Sequence, residues 1–346
     1  MSGASAAALR WSFERSAARG LPPGASPRPA LEYEIARMAR EVAEPGGAGA
    51  GLFFINAHPR SGTNWLGALM NLHPQVVCTG EFTFHDVFNG VQSMVTQPGR
   101  AAAREPARSA AIRGFTNLVR SCMESLATSG GRAEAARVVG DHTPRRLRIL
   151  VPDASYLVLF RDARDVVVSW TYNALARKEH WVVPTAARIL FDHQLDRFAS
   201  AALANDAAGQ HQAAAAMLAN EGWVRHVARQ WASQVRDDLD GVSRLTSGEL
   251  PGRVMTLRYE DLHADTEGVR AEVYRFLGVE ARLARVLGEA PNTLPGFGTR
   301  GGAERREDPR SHYRRGQVGD WREKLTGAAA AWIVAEAGTE LAFLGY

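Results

Sequence analysis

The run Gly51–Trp65, GLFFINAHPRSGTNW, constrains this chain more than any other segment. Its apolar start, Leu52-Phe53-Phe54-Ile55, reads as a buried strand that breaks at Pro59. The spacing of Leu66, Leu69, Met70 and Leu72 then predicts a helix. A strand, tight loop and helix in that order leave backbone N–H groups unpaired at the helix start, where the helix dipole adds partial positive charge. Gly62 lets an oxyanion approach the backbone, Arg60 brings a full charge on a forked donor, and Ser61 and Thr63 add hydroxyls. Such a turn can cradle a phosphate or sulfate. It is not the nucleotide P-loop G-x-x-x-x-G-K-[ST], because no Gly stands five residues before Gly62 and no Lys follows it.

Three further segments carry chemistry. The apolar strand Tyr156–Phe160 runs into Arg161, with Ser169 eight residues later on the following helix. Both can donate to one phosphate, although Arg161 taken alone also fits a surface ion pair. Near the C-terminus stands Arg314-Arg315-Gly316-Gln317-Val318-Gly319-Asp320-Trp321, which by charge alone is a solvated basic loop. Val254–Arg258 reads as a strand followed by Tyr259-Glu260-Asp261-Leu262, then an amphipathic helix through Val269, Val273 and Phe276-Leu277, closed by Gly278. Tyr259 by itself could be a core or hinge residue.

In this order, the four segments resemble the sulfotransferases that use 3′-phosphoadenosine 5′-phosphosulfate (PAPS). The first resembles that family's 5′-phosphosulfate loop, which implies donor binding by Arg60, Ser61, Gly62, Thr63, Asn64 and Trp65. The second resembles its 3′-phosphate segment, implying Arg161 and Ser169 as ligands. The third resembles its Arg-Lys-Gly-x-x-Gly-Asp-Trp loop, implying Arg314, Arg315 and Gly316, with Arg replacing Lys. The fourth implies Tyr259 near the adenine. Features of both cytosolic and Golgi or bacterial members are present. The resemblance implies an α/β fold of the P-loop-NTPase-like sulfotransferase type, a mostly parallel sheet with helices on both faces. Strand–helix alternation along the chain independently predicts such a sheet. Phosphate loops then lie at the strand C-terminal ends.

In-line sulfuryl transfer needs positioning, charge stabilisation and a destination for the acceptor proton. Glu81, in His73-Pro74-Gln75-Val76-Val77-Cys78-Thr79-Gly80-Glu81, resembles the catalytic Glu of tyrosylprotein sulfotransferases and of Golgi and bacterial members. As a base it would need burial to raise its basicity; otherwise it is a solvated loop residue. His142, in Gly140-Asp141-His142-Thr143-Pro144, resembles the Lys-Thr-His-x-Pro segment of cytosolic members. Its ordinary pKa suits either role, with Asp141 able to orient the ring; otherwise it is a structural His capping a turn. The expectation is Glu81 as base, His142 at the sulfuryl group or in support, and Arg60 stabilising charge on the transferring group. The reverse assignment of Glu81 and His142 stays open.

Composition sets outer limits. At 346 residues, 45% hydrophobic and 23% charged, the chain is ordinary for a globular protein. Its pI near 9.3 suits a donor with phosphate and sulfate ends. No basic stripe with interleaved aromatics points to nucleic acid, and Arg145-Arg146-Leu147-Arg148 reads as a solvated or partner-facing surface. Two cysteines, Cys78 and Cys122, make no disulfide framework. No metal-ligand spacing is visible among the histidines; the resemblance implies PAPS as co-substrate and PAP as product, with no metal required. No membrane span or secretory signal is read, which favours a cytoplasmic location. Ala, Arg and Gly richness fits a bacterial source.

Residues 1 to about 48 read as an irregular arm with a short helix over Leu31–Val42, and 49–346 as a single domain with a helical insert at about 182–250. Phe82, Phe84 and Phe88 follow Glu81 and line either an acceptor pocket or the core. A helix is expected from about Ile112 to Leu126. Trp223 and Trp231 share a helix face and read as core. The stretch 291–310 reads as a lid and Gly327–Leu344 as a final helix. The acceptor is a hydroxyl or amine on a small molecule, sugar or peptide, and the sequence leaves the oligomeric state open. Competing readings are a P-loop kinase-type phosphotransferase and a non-catalytic PAP-binding protein.

Overall fold

The computed structural model describes residues 51–97, 99–129, 136–176, 207–286, 307, 309 and 314–346. The expected arm, its Leu31–Val42 helix and nearly all of the 291–310 lid lie outside these residues, as does Trp181. The chain divides into two compact units, with cuts at Phe160/Arg161, Val235/Arg236 and Ala290/Pro291.

The first unit holds the sheet. Its strands are β1 Gly51–Ala57, β2 Val76–Thr79, β3 Val138–Thr143, β4 Ser155–Phe160 and β5 Arg253–Arg258. They lie in the order β2-β3-β1-β4-β5, every pair parallel. The α/β class and the parallel sheet are therefore as expected. Phe53, Ile55, Tyr156, Leu157 and Val158 are fully buried. Burial on both sheet faces explains why β1 and β4 read as continuous apolar runs. The chain leaves β1 on one side for β2 and β3, then returns to the other for β4 and β5. The strand order thus reverses at β1, and ligands in such sheets bind outside the carboxyl ends at that point.

β1 leads into α1, Thr63–Met70, which packs on one face; α2, Phe84–Thr96, lies on the other. Strand parity shows this. A Cβ on Gly67 of α1 would fall 2.8 Å from the His142 ring and 3.2 Å from Cys78 Sγ. His142 pairs with Ile55, and Cys78 with Gly140. The neighbouring residue Asn56 points the other way, its Nδ2 lying 3.5 Å from His85 Nε2 of α2. α3, Ala107–Ser129, extends the expected 112–126 helix at both ends. His73 clasps the sheet's edge to later elements: its Nδ1 accepts from Gln75 N, and its Nε2 donates to Glu280 O.

The Arg145–Arg148 stretch reaches the surface at Arg145, while its other residues have partners within the fold. Leu147 is fully buried, and its N–H donates to Asp238 at 2.6 Å. Arg146 pairs with Asp237, and Arg148 lies 5.9 Å over the Phe88 ring. Facing carboxylates and an aromatic, distant in sequence, fix these cations.

The second unit is helical: α4 Ala163–Ala176, α5 Ala207–Leu218 and most of α6 Glu221–Thr246. Trp223 and Trp231 are core residues, as their spacing predicts. Trp223 Nε1 donates to Thr171 Oγ1 at 2.8 Å and Trp231 Nε1 to Arg161 O at 3.2 Å. After β5 the first unit continues with α7 Tyr259–Ala264 and α8 Thr266–Leu277, which ends at Gly278 as expected. The second unit closes with α9 Trp321–Lys324 and α10 Gly327–Leu344. Among the described residues α10 is long and apolar enough to cross a membrane, at mean hydropathy 1.2. Its Glu336, however, is tied to Arg225 and Arg229 of α6.

Candidate active site

The strand, loop and helix form where the sequence predicts them, with positive φ at Arg60 and Gly62 of the loop. Ser61 N donates to His58 O at 3.1 Å, curling the chain back after β1. Arg60 takes φ 74° and Gly62 φ 103°. Positive φ is uncommon in a residue as large as Arg60, and its clustering in a loop is a mark of functional sites. Trp65 and Leu66 donate to Gly62 O at 3.0 Å, starting α1. Ser61 is 1% exposed, and its Oγ has no hydrogen-bond partner. A buried, orphaned hydroxyl in a turn that opens a helix fits an oxyanion ligand.

Tyr259 sits beneath this loop. A Cβ at Gly62 would lie 2.6 Å from its ring. Trp65 meets Tyr259 edge-on, with ring centroids 5.4 Å apart, and His263 lies 6.1 Å from Trp65. Tyr259 is 3% exposed, so its visible contacts make it a buttress of the cradle. His58 is buried, its ring bonded to Pro59 O at 2.8 Å. Burial pushes its pKa down to about 4, opposed by that bond and aided by Arg146.

His142 is on β3, a strand of its own beside β1, and not merely in a segment preceding β4. Its ring covers Gly67 of α1. Burial holds the imidazole below its ordinary pKa, and Nδ1 is buried without a partner. Asp141 does not orient this ring. Adjacent strand residues point to opposite faces, and the Asp141 carboxylate accepts from Thr143 Oγ1 at 2.6 Å, Phe82 N at 3.3 Å and Thr79 Oγ1 at 3.4 Å. Burial raises Asp141 to about 6, its three donors pull it down, and the charge of Glu81 raises it further. Glu81 itself is exposed, on the loop after β2. The burial expected of it belongs to Asp141. Phe82 is 44% exposed and stacks on buried Phe84 at 5.8 Å, while Phe88 is core.

In the second unit, Arg161 is buried and donates to Gln317 O at 3.0 Å, which joins two of the expected segments. Ser169 lies on α4. Asp165, which sequence reasoning passed over, fixes the Gly-Asp-Trp turn by accepting from Gly319 N at 2.7 Å and Trp321 N at 3.0 Å. Burial raises its pKa, against the pull of Arg161 and those donors. Its only sequence signal is a first-turn acid on α4. Arg314 pairs with Glu307 and Asp320, and its guanidinium lies 4.2 Å over the Tyr172 ring. Arg315 pairs with Asp320 at 2.8 Å and Glu323 at 2.6 Å. Burial alone would raise Asp320, but the two arginines hold it below the usual carboxylate range. No group of His, Cys, Asp and Glu suited to a metal occurs among the described residues.

Among curated proteins, none matches this sequence. Solved structures similar to it include a sulfotransferase from Alicyclobacillus acidocaldarius, 17% identical over 88% of this chain and 96% of that one, at TM-score 0.38. The sulfotransferase domain of the Synechococcus PCC 7002 olefin synthase is 17% identical over 86% and 97%, at TM-score 0.39. A sulfotransferase domain from the curacin biosynthetic pathway is 12% identical over 84% and 99%, at TM-score 0.40. These scores are too low to add an argument. The family described as "Sulfotransferase domain" matches residues 52–334, from the first buried residue of β1 to the middle of α10. By that match, which takes in the cradle, His142 and the Arg161 and Arg314 segments, the chain belongs to the sulfotransferase domain family.

Proposed function

We propose that this chain transfers the sulfuryl group of PAPS to a hydroxyl or amine of a small-molecule, sugar or peptide acceptor. The observation that carries the reading is the cradle: strained Arg60, orphaned Ser61 Oγ and left-handed Gly62 at the start of α1, at the sheet's switch point. Arg60, Ser61, Gly62, Thr63, Asn64 and Trp65 are proposed to hold the 5′-phosphosulfate end. Arg161, Ser169, Arg315 and Gly316 are proposed for the 3′-phosphate. Arg314 keeps that assignment only by sharing its charge with Glu307 and Asp320. The donor supplies an activated sulfuryl group, and what this chain supplies is position and charge. A bond forms from the acceptor oxygen or nitrogen to sulfur, and the bond from sulfur to the bridging phosphate oxygen breaks. The acceptor proton passes to the base, and PAP leaves. Arg60 stabilises negative charge on the bridging oxygen.

Glu81 is proposed as the base, with His142 supporting transfer. The reverse assignment has its own support, since burial favours the uncharged imidazole of His142 and its Nδ1 lacks a partner. Turnover of Glu81→Gln and His142→Ala at saturating donor separates the two. Near-full rate in Glu81→Gln would transfer the role to His142.

The donor assignment is tested by thermal shift with PAP, PAPS, ADP and ATP, each with and without Mg²⁺. A ligand at 100 times its Kd stabilises by about 2.7 kcal/mol. A shift with PAP, little with ADP, and no need for Mg²⁺ is expected. A shift with ATP and Mg²⁺ but not with PAP overturns the reading in favour of a phosphotransferase. PAP binding without turnover on any acceptor favours a non-catalytic protein.

A further inference from the structure

Two non-glycine residues among those described have positive φ: Arg60 in the cradle and Thr83, at 56°. A β-branched residue in the left-handed region is held there by its surroundings. Thr83 ends the short loop that follows β2, and α2 starts at the next residue. Glu81 lies in that loop, exposed. Asp141 holds the loop to the sheet. It is 1% exposed on β3, and its Oδ1 accepts from Thr79 Oγ1 at the end of β2 and from Phe82 N within the loop. Its Oδ2 accepts from Thr143 Oγ1. The carboxylate therefore holds the residue after Glu81 directly, while before Glu81 the Thr79 hydroxyl proton is shared between it, at 3.4 Å, and Gly140 O, at 3.1 Å.

We propose that Asp141 is a positioning residue for sulfuryl transfer: its carboxylate clamps the Thr79–Phe82 turn and so presents Glu81 to the acceptor. This rests on the reading of Glu81 as the base. What the clamp needs at this position is an acceptor oxygen facing Phe82 N, which the carboxylate supplies with Oδ1 while Oδ2 accepts from Thr143 Oγ1.

The test pairs hydrogen exchange with a double-mutant cycle. In Asp141→Ala the Phe82 amide is expected to exchange at least about tenfold faster, while the β3 amide of Val139 keeps its protection. PAP formation from PAPS, with water and with 4-nitrophenol as probe acceptors, is expected to fall roughly 10- to 100-fold, as misplacement of a reacting group does. PAP affinity stays within about twofold. In the Glu81→Gln background the same substitution costs less than about twofold, because a residue acting through Glu81 has nothing left to position. Asp141→Asn, isosteric and able to accept from Phe82 N, keeps the amide protected and most of the rate.

Unchanged Phe82 exchange in Asp141→Ala overturns the proposal, as does a cost that multiplies fully with that of Glu81→Gln. So does a rate loss in Asp141→Asn equal to that in Asp141→Ala while Phe82 stays protected. Full rate in Glu81→Gln alone, with Phe82 loosened in Asp141→Ala, shows that the base assignment failed and the clamp exists. Without turnover in the unaltered protein, the exchange measurement decides the clamp.

Discussion

At the scale of single residues, the cradle depends on Gly62 for two separate reasons. Its φ of 103° is one an L side chain rarely adopts, and a Cβ would sit 2.6 Å from the Tyr259 ring. Gly62→Ala is therefore expected to lose about 1–2 kcal/mol from backbone strain, plus the packing penalty, and to abolish the thermal shift given by PAP. Tyr259→Leu added to Gly62→Ala is expected to recover only the packing part, since it leaves φ unchanged. An intact PAP response in Gly62→Ala would show that the loop does not hold the donor. That the chain turns at Gly62 is legible in the sequence, because Pro59 and Gly62 interrupt a strand just before a helical apolar period. The partner that makes Gly62 obligatory is not, because Tyr259 lies nearly 200 positions away on α7.

At the scale of elements, β3 shows where sequence reading stops. Val138–Thr143 has a Gly, an Asp and a His in six residues and no period-two pattern, so neither alternation nor a continuous apolar run marks it as a strand. Gly140 is there because β3 pairs with β1: a Cβ would lie 2.2 Å from the Phe53 ring. Gly140→Ala is expected to cost about 1–3 kcal/mol as overpacking. The urea midpoint should fall with an unchanged m-value, and Phe53→Leu should recover part of the loss. No change in midpoint would mean that β1 and β3 are not in this register. β1 and β4 were legible as continuous apolar runs buried on both faces, and the final helix by its buried apolar face; β5, in which only Leu257 is buried, was legible from its short apolar run alone. The helix over α3 was read short at both ends, where Ala and Arg residues carry no strong periodic signal.

At the scale of the whole molecule, two buried titratable groups give stability an opposed pH dependence. Asp141 titrates higher when folded, at about 6, than its ordinary value of 3.8. The folded state then holds the extra proton between about pH 4 and 6, and this contribution falls as pH rises through that window. His58 titrates lower folded, at about 4 against 6.5, so the unfolded state holds the extra proton and stability falls as pH drops. Each is worth about 3 kcal/mol at order of magnitude. Asp141→Asn should therefore gain in Tm relative to the unaltered protein as pH is raised from 4 to about 7. His58→Gln should gain relative to it as pH is lowered over the same range. Parallel Tm profiles for either variant would show that the group is not buried ionisable as described.

The sequence by itself determined the α/β class, the strand–loop–helix turn and the charged and hydroxyl donors gathered in it. Those follow from local chemistry: apolar period, turn-forming Pro and Gly, and forked or hydroxyl donors in one short run. Tertiary structure decided which carboxylate is buried. It turned Asp141 away from His142, because neighbours on a strand face opposite ways, and left Glu81 at the surface. It also engaged Arg314 and Arg315 with Glu307, Asp320 and Glu323, and fixed the Gly-Asp-Trp turn on Asp165. Charge and burial at a residue are set by what folds against it, and most of those partners are far along the chain.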